Sequence, residues 1–460
     1  MRKLTSLRLT AEQHAQFLAH LYPGDDCEAV ALALCGRGSD GERASFSVHD
    51  ILLIPYASCS ERTKVSVRWN VEVGLALFQK AAKRGMAVLK IHSHPSGYNR
   101  FSEWDDASDS QLLGSLSSWT DNPSTHLSAF MLPDGRITAR TIGGAGVATV
   151  DHVMVVGDEI RRWSAAEVTI DAAYDVRTCQ VFGEGTVRVL RGLRVGVIGT
   201  SGTGSWVVEI LARLGVGELV LVDPDRVERN NLNRIVNSTT ADVADKRFKV
   251  DVLADAVSRI EGPTTITRHK TDAAHSIVIA SLSQCDVLVG CVDSADGRDL
   301  ANRIATHYLI PYLDVGVRID ADGRGSIAQA CLAIHYLIPG GSSLLSRGVI
   351  TANQISADSL HRRNPAAYGE RLDRGYIHGV NVERPAVISL NALAATTAVN
   401  ELLARLHPFR TDGNAGFRYQ VFSLTESSWV QVSDGPRCEV LSRHIGRGDC
   451  TPILNDPTIS

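Results

Sequence analysis

The chain has 460 residues, and its formal net charge at pH 7 is −4. Hydrophobic residues make up 44% of the chain and charged residues 21%, the ordinary composition of a folded globular protein. At about 100–200 residues per domain, the length predicts two to four domains. The near-neutral charge argues against nucleic acid or an anionic membrane surface as a partner. No apolar run has the length of a membrane span or a signal peptide.

The nine cysteines are scattered along the chain, and none of them forms a C-x-x-C pair. An odd, scattered set is atypical both of a disulfide framework and of a four-cysteine zinc site. We therefore expect a protein of the reducing cytoplasm.

The first part of the chain predicts mixed α and β structure. The predicted elements are helices at 11–21 and 71–84, strands at 28–35 and 86–95, and a hairpin at 127–141 that turns at Asp134-Gly135.

Four polar residues follow one another at the end of the predicted strand 86–95. They are His92, His94, Ser102 and Asp105, in the spacing H-x-H-x7-S-x2-D. Alternate residues of an extended segment point the same way, so both imidazoles can face one ion, and the aspartate can complete a three-ligand set. This donor set suits Zn²⁺ with a fourth position left for water, which a bound zinc acidifies.

Such a water needs a group that moves its proton, and Glu28 is the best-placed upstream carboxylate for that role. The hydroxyl of Ser102 can donate a hydrogen bond to the oxyanion of a tetrahedral intermediate.

Together these residues resemble the JAMM (JAB/MPN+) metallopeptidases, which cleave isopeptide bonds behind the C-termini of ubiquitin-like proteins. The resemblance covers about residues 1–150 and implies an α+β metallopeptidase domain. It implies zinc binding by His92, His94 and Asp105, acid/base catalysis by Glu28 and oxyanion support by Ser102. We expect the neighbouring carboxylates Glu103, Asp106 and Asp109 to be solvated or to start a helix.

From about residue 175 the pattern changes to alternating strands and helices. Apolar strands at 193–199, 217–223 and 285–293, with a helix at 205–215, predict a parallel sheet covered by helices on both faces. We place the first domain at 1–158, a linker at 159–174 and the second domain at 175–460.

A glycine-rich turn follows the first of these strands and contains Gly199, Gly202 and Gly204. Glycines at this position let a phosphate approach the N-terminus of the next helix. Alone, such a turn fits NAD, FAD, S-adenosylmethionine or ATP, and it is not a P-loop because no G-K-[ST] follows.

The residues after the second strand favour a triphosphate over a redox dinucleotide. Asp223 is placed to hold ribose hydroxyls, and Asn231, Arg234 and Lys249 add donors and positive charge that a dehydrogenase does not need. Asp293 ends a later strand, where an acid beside phosphates is a natural Mg²⁺ ligand.

Together these features resemble the ThiF/MoeB family, the fold of ubiquitin-activating enzymes, over about residues 170–430. The family adenylates the C-terminal glycine of a ubiquitin-like protein. Its motifs correspond here to Arg177 with Gly183, Gly199 to Ser205, Asp223 to Arg234, Lys249, and Asp293 with Arg298.

The resemblance implies ATP and Mg²⁺ as cofactors and a homodimer as the assembly. It places Asp223 on the ribose, Asn231, Arg234 and Lys249 on the phosphates, and Asp293 on the metal. It also places Arg177 on the phosphates, and in relatives this arginine often comes from the other protomer. The family's glutamine after the second arginine is Ile235 here, and Lys249 fits the lysine position better than Lys246.

Two departures from the family concern cysteine. Ser343-Leu-Leu-Ser346 stands where relatives commonly carry a C-x-x-C pair, so we expect no structural zinc in this half. Relatives also carry a cysteine after the crossover loop that takes the acyl group as a thioester, but the corresponding stretch here contains Ser389, Thr396 and Thr397 and no cysteine. Cys291 and Cys331 fit strand cores better than that acyl-accepting role. The adenylate therefore passes either directly to another protein or to a serine as an oxyester, with His335 or His378 as the base.

The interpretation is a JAMM zinc isopeptidase fused to a ThiF-type adenylyltransferase. Its partners would be a ubiquitin-like C-terminal tail and a conjugating-enzyme-like protein, as in bacterial ubiquitin-like conjugation operons, some of which act against phage. One alternative is activation of a sulfur carrier for cofactor or cysteine synthesis. Another is a catalytically inactive scaffold that binds ubiquitin-like tails.

Overall fold

The computed structural model describes residues 3–118, 125–144, 146–373, 385–457 and 459. The chain forms two compact units. The first contains the chain through Glu167 together with His307–Leu309 and His444–Thr451. The second contains Val168–Thr306, Ile310–Arg443 and the residues from Pro452 onward.

The first unit is built around one mixed sheet. Its strands are β1 (Leu4–Thr10), β2 (Val30–Ser39), β3 (Arg43–Leu53), β4 (Cys59–Arg62), β5 (Val67–Trp69), β6 (Ala87–Ser93), β7 (His126–Met131), β8 (Ile137–Gly143), β9 (Gly146–Thr149), β10 (His152–Val156) and β11 (Ile160–Ser164). Its helices are α1 (Ala11–Leu21), α2 (Leu75–Arg84) and α3 (Glu103–Ser118). The strand order is β11-β10-β1-β3-β2-β6-β7-β8-β9, and β4 and β5 form a separate hairpin.

The sheet of the first unit carries apolar side chains on both faces. One apolar cluster includes Phe17 and Leu21 of α1, and the other includes Phe78 of α2 and Leu113 of α3. Leu89 and Ile91 of β6 belong to the first cluster and Val88 to the second, so the strand alternates between the faces. By this alternation Lys90 and His92 lie on the face that α2 and α3 cover.

The predicted elements of this half differ from the structure mainly at their ends. The predicted helix 71–84 is a short 3-10 turn at Val71–Gly74 followed by α2. The predicted linker 159–174 needs correction, because Ile160–Ser164 pairs antiparallel with β10 as an edge strand. Only Ile160 of that strand is buried, so it lacks the apolar run that would identify it in the sequence.

The elements after residue 168 alternate between helix and strand. They are α4 (Val176–Gly192), β12 (Arg194–Ile198), α5 (Gly202–Arg213), β13 (Glu218–Val222), α6 (Thr240–Ala244), α7 (Lys249–Ser258), β14 (Thr265–His269), α8 (Ser276–Ser283), β15 (Val287–Gly290), α9 (Ala295–Tyr308), β16 (Tyr312–Ala321), β17 (Ile327–Leu337), α10 (Ala352–Arg363), α11 (Pro365–Asp373), α12 (Ile388–Leu406), β18 (Tyr419–Ser423) and β19 (Ser428–Val432).

The sheet of the second unit has the order β14-β13-β12-β15-β16-β17-β18-β19. Its strands are parallel from β14 to β16 and antiparallel from β16 to β19. After β12 the chain adds β13 and β14 on one side of β12, and it then crosses to add β15 on the other side of β12. This reversal is the topological switch point of a Rossmann-like sheet, where ligands bind beyond the carboxyl ends of the strands.

The fold is therefore mixed α/β with a Rossmann-like second half, as the sequence predicts. Within the described ranges, no helix is long and apolar enough to cross a membrane.

Candidate functional sites

Three polar side chains meet where β6 ends in the first unit. They are His92, His94 and Asp105, which we call the histidine–aspartate cluster, and their candidate ligand atoms all lie within 4.8 Å of one another. The two Nε2 atoms are 2.9 Å apart, and the Asp105 carboxylate lies 3.0 Å from Nε2 of His92 and 3.8 Å from Nε2 of His94. Both imidazoles are buried.

The donors of this cluster suit a zinc ion. Nδ1 of His94 lies 2.6 Å from the carbonyl oxygen of Tyr98, so it carries the proton and leaves the Nε2 lone pair directed into the cluster. The His94 ring also stacks on Phe130 with a centroid distance of 4.4 Å, which fixes its orientation. Two imidazole nitrogens and one carboxylate around a common point match a three-ligand zinc site with an open fourth position.

Ser102 supports Asp105 directly. Its backbone N–H and its hydroxyl each donate to the Asp105 carboxylate at 2.7 Å, at the beginning of α3. Burial acts to raise the pKa of Asp105, but hydrogen bonds from His92 and Ser102 outweigh it and hold that pKa well below its ordinary value. The structure therefore places the Ser102 hydroxyl on Asp105, whereas the resemblance placed it on an oxyanion.

Glu28 lies just before β2, and its side chain is buried. Burial raises the pKa of Glu28 to about 7, and the charge of Asp105 acts in the same direction. A carboxyl group with a pKa near neutrality can both accept and donate a proton, which suits acid/base catalysis.

The second unit contains a cavity of about 900 Å³ beyond the carboxyl ends of β12, β13 and β15. The glycine turn forms part of its wall. Gly199 has a φ of +85°, and a Cβ on Gly204 would lie 1.9 Å from the carbonyl oxygen of Gly199. Glycine is therefore required at both positions, and α5 begins at Gly202 with its N-terminus beside the cavity.

Asp223 and Lys249 lie together on the cavity wall. The Asp223 carboxylate accepts from the N–H and the hydroxyl of Thr200 at 2.7 and 3.1 Å. The buried Lys249 ammonium lies 2.7 Å from Asp225 and 3.9 Å from Asp223, so its charge is already paired with carboxylates.

The remaining predicted phosphate and metal residues also line this cavity. Asn231 accepts the N–H of Glu228 at 3.1 Å, and Arg234 donates to the side chain of Asn233 at 3.2 Å. Asp293 is exposed at the cavity wall beyond the end of β15. Cationic, amide and carboxylate groups thus surround one concave space, the arrangement that a nucleotide with its metal requires.

The sequence model of the ThiF family matches residues 174–438. The chain belongs to the ThiF family.

ThiF-family relatives match only part of this chain. Ubiquitin-like modifier-activating enzyme 5 of Arabidopsis thaliana is 25% identical over 217 residues, which cover 44% of this chain and 48% of that protein. Adenylyltransferase and sulfurtransferase UBA4 of Eremothecium gossypii is 30% identical over 155 residues, which cover 33% of this chain and 34% of that protein. The chain thus spans about half or less of the length of these curated relatives.

A solved structure of E. coli MccB with MccA-N7isoASN is 15% identical to this chain. The alignment has a TM-score of 0.46 and covers 61% of this chain and 77% of MccB.

In this ThiF-family chain the structure brings most of the predicted nucleotide residues into one cavity. The cavity wall includes Gly199, Gly202, Asp223, Asn231, Arg234, Lys249 and Asp293. Arg177 is exposed on α4, where it donates to Gln180 at 3.1 Å, and it does not belong to the wall of the described cavity. Lys249 lines the cavity and Lys246 does not, which agrees with the preference for Lys249.

The hydroxyl residues in the two stretches where the resemblance leads us to expect cysteine make local hydrogen bonds. The backbone N–H of Ser343 donates to the hydroxyl of Ser346 at 2.9 Å, and that of Ser346 donates to the hydroxyl of Ser343 at 3.1 Å. The Thr397 hydroxyl donates to the carbonyl of Leu393 one turn earlier in α12.

Of the two candidate bases, His335 is buried and stacks on Tyr419 with a centroid distance of 4.2 Å. Burial lowers the pKa of His335 to about 3, so this ring is a weak base. His378 lies outside the described residues.

The interpretation of Asp109 needs correction. We expected a carboxylate that is solvated or starts a helix, but Asp109 lies beyond the first turn of α3 and is buried, 2.8 Å from the Lys90 ammonium and 2.7 Å from the Arg140 guanidinium. Arg140 also pairs with Asp106 and lies over the Phe101 ring at 3.8 Å. This network ties α3, and hence Asp105, to β6 and β8. One signal in the sequence could have identified this network. Lys90 lies two residues before His92, and Asp109 lies one turn after Asp105.

Proposed function

We propose that this ThiF-family chain adenylates the C-terminal carboxylate of a ubiquitin-like protein with ATP. The observation that carries the proposal is the cavity at the switch point, where the glycine turn meets Asp223, Arg234, Lys249 and Asp293. The name of the Arabidopsis relative, a ubiquitin-like modifier-activating enzyme, supports this substrate class.

The reaction requires positioning and charge neutralisation more than covalent chemistry by the protein. The substrate carboxylate attacks the α-phosphorus of ATP, an acyl–adenylate bond forms, and pyrophosphate leaves. In this proposal Asp223 holds the ribose, while Asn231, Arg234 and Lys249 bind phosphate oxygens. Asp293 would hold Mg²⁺, which offsets the charge of the phosphates when bound.

The test uses ATP labelled in either the α- or the γ-phosphate, together with a glycine-ended ubiquitin-like protein from the neighbouring genes. We expect the α-label to become trapped with the ubiquitin-like protein and the γ-label to leave with pyrophosphate. Release of γ-labelled inorganic phosphate with no trapped α-label would indicate a simple ATPase and contradict the proposal.

For the first unit we propose a JAMM-type zinc isopeptidase that processes or removes the same ubiquitin-like protein. His92, His94 and Asp105 would hold the zinc, which when bound supplies an acidified water. Glu28 accepts a proton on its carboxylate and returns it to the leaving amine, and Ser102 keeps Asp105 in place. Zinc analysis of the purified chain, with cleavage of a C-terminally extended ubiquitin-like protein, tests this role. A metal-free chain that still cleaves would contradict it.

After adenylation we propose direct transfer to a conjugating-enzyme-like protein, or transfer through a serine oxyester. The support for this proposal is that the stretch resembling the helix after the family's crossover loop contains Ser389, Thr396 and Thr397 but no cysteine that could form a thioester. Gels run with and without thiol and hydroxylamine after incubation with Mg-ATP and the ubiquitin-like protein test it. A thiol-labile adduct would contradict both routes.

A second candidate function is activation of a sulfur carrier. The printed name of the Eremothecium relative, which includes sulfurtransferase, favours it. A thiocarboxylate at the carrier's C-terminus would support this function, whereas covalent carrier–protein conjugates would support the conjugation function.

A further inference from the structure

Helix α12 contributes an amide side chain to the cavity that no motif predicts. Asn391 lies in the first turn of α12, is 4% exposed and lines the cavity. Its Nδ2 would lie 2.1 Å from a Cβ on Gly202, so the amide group is packed directly against the glycine turn.

The two ends of this amide differ in their contacts. Its Oδ1 accepts a long hydrogen bond of 3.4 Å from the Thr203 hydroxyl. For Nδ2, no acceptor is found among the residues that the structure describes. Asn391 lines the cavity, so this amide N–H lies within reach of a ligand held there. A ligand in the cavity is therefore the natural acceptor for this N–H.

The surroundings of Nδ2 favour an anion. Helices α5 and α12 both begin here, and neither Ser201 nor Val387 caps its helix with a side-chain hydrogen bond. The side chain of Arg234 reaches the same glycine, with its Cδ 3.4 Å from the Cβ position of Gly202. Helix N-termini and a guanidinium all favour negative charge.

We propose that Asn391 donates a hydrogen bond from Nδ2 to a phosphate oxygen of the nucleotide held over the glycine turn. It would be a phosphate-binding residue contributed by α12, in addition to those of the sequence motifs. The proposal rests on the proposed function, because that function identifies the anion as part of ATP.

The test compares Asn391→Asp and Asn391→Ala with Asn400→Asp, which makes the same isosteric charge change at an exposed position of the same helix. Calorimetry on the full chain would measure Mg-ATP, adenosine and pyrophosphate binding. We expect Asn391→Asp to weaken Mg-ATP and pyrophosphate binding by more than about tenfold, because it removes a hydrogen bond to a charged group and also places a negative charge beside the phosphates. Asn391→Ala should weaken both by a smaller factor, while adenosine affinity and the Asn400→Asp variant stay at wild-type values.

Two results would overturn the proposal. One is unchanged Mg-ATP affinity in Asn391→Asp. The other is an equal loss of adenosine and Mg-ATP affinity, which would indicate a purely structural role. If wild type binds pyrophosphate but not Mg-ATP and Asn391→Asp loses that binding, the inference holds and the proposed function fails. If wild type binds neither, both fail.

Discussion

At the scale of single residues, Glu28 carries the proton transfer of the proposed isopeptidase. Glu28→Gln keeps the shape and burial of the side chain but cannot accept a proton. We expect zinc content to stay unchanged and cleavage to fall by about 10²–10⁴-fold, the usual contribution of general acid–base catalysis. Glu103→Gln is the matched control, because Glu103 is exposed in the first turn of α3. Full cleavage by Glu28→Gln would remove Glu28 from the mechanism.

A second residue-scale prediction concerns His126, which is buried in β7. Its Nδ1 accepts the backbone N–H of Val88 at 3.0 Å, and burial lowers the pKa of His126 to about 4. The folded chain therefore holds this ring neutral, while the unfolded chain protonates it near pH 6.5. The unfolded state binds more protons between these values, so stability falls as pH drops from about 6.5 to 4.

The measurement for His126 is urea unfolding at pH 7 and pH 5 in wild type and His126→Gln, whose amide oxygen can accept the same N–H. Between pH 7 and pH 5 we expect the free energy of unfolding of wild type to fall by about 1–2 kcal/mol more than that of the variant. The difference follows from one proton, which contributes up to about 1.4 kcal/mol per pH unit. Parallel losses in the two proteins would show that His126 stays protonatable in the folded state.

Residues that lie close together in the sequence could be predicted as one site. Contacts between residues that lie far apart in the sequence could not. His92, His94 and Asp105 follow one another closely, so their spacing alone suggested a shared ligand. The bond between Arg140 and Asp109 spans 31 residues, and that between Thr203 and Asn391 spans 188. Such contacts depend on how the sheet and helices pack, which no local pattern encodes.

At the scale of elements, the turn between β12 and α5 depends on the absence of side chains. Gly204→Ala would place a Cβ within 1.9 Å of the Gly199 carbonyl oxygen, so the turn must shift. We expect the free energy of unfolding to fall by about 1–3 kcal/mol, the usual cost of overpacking, together with a loss of Mg-ATP binding.

The control for this prediction is Gly369→Ala in α11. A Cβ at Gly369 meets no atom within 4 Å, so alanine should stabilise the helix by about 0.5–1 kcal/mol. Chemical unfolding and calorimetry measure both effects. Normal Mg-ATP binding by Gly204→Ala would show that the turn tolerates a side chain.

The β-α-β alternation predicted the parallel strands because buried parallel strands are continuous apolar runs, such as Val287–Gly290. The antiparallel extension from β16 to β19 was not predicted. Trp429, Val430 and Val432 of its last strand are exposed apolar residues, so β19 lacks the apolar–polar alternation of a half-buried strand.

At the scale of the whole molecule, the position of Arg177 bears on assembly. Because Arg177 is exposed and not part of its own chain's described cavity wall, we propose that it serves the cavity of a second copy in a homodimer. Mixed Arg177→Ala and Asp293→Ala chains should then recover roughly a quarter of wild-type activity, because half of the dimers contain one intact site.

The control mixture pairs Lys249→Ala with Asp293→Ala, which both alter the same cavity and cannot complement each other. The measurement is the rate of adenylation after subunit exchange. If the Arg177→Ala mixture recovers no more activity than the control mixture, Arg177 does not act across a dimer.

The central claim is adenylation of a ubiquitin-like C-terminus, and ATP–pyrophosphate exchange measures its reversal directly. Labelled pyrophosphate is incubated with the chain, Mg-ATP and the glycine-ended ubiquitin-like protein, and label in ATP is counted. We predict exchange that requires the ubiquitin-like protein, is lost in Asp293→Ala and is kept in Asp412→Ala, an exposed aspartate outside the cavity wall. No exchange by the wild-type chain, or equal exchange by Asp293→Ala, would contradict the account.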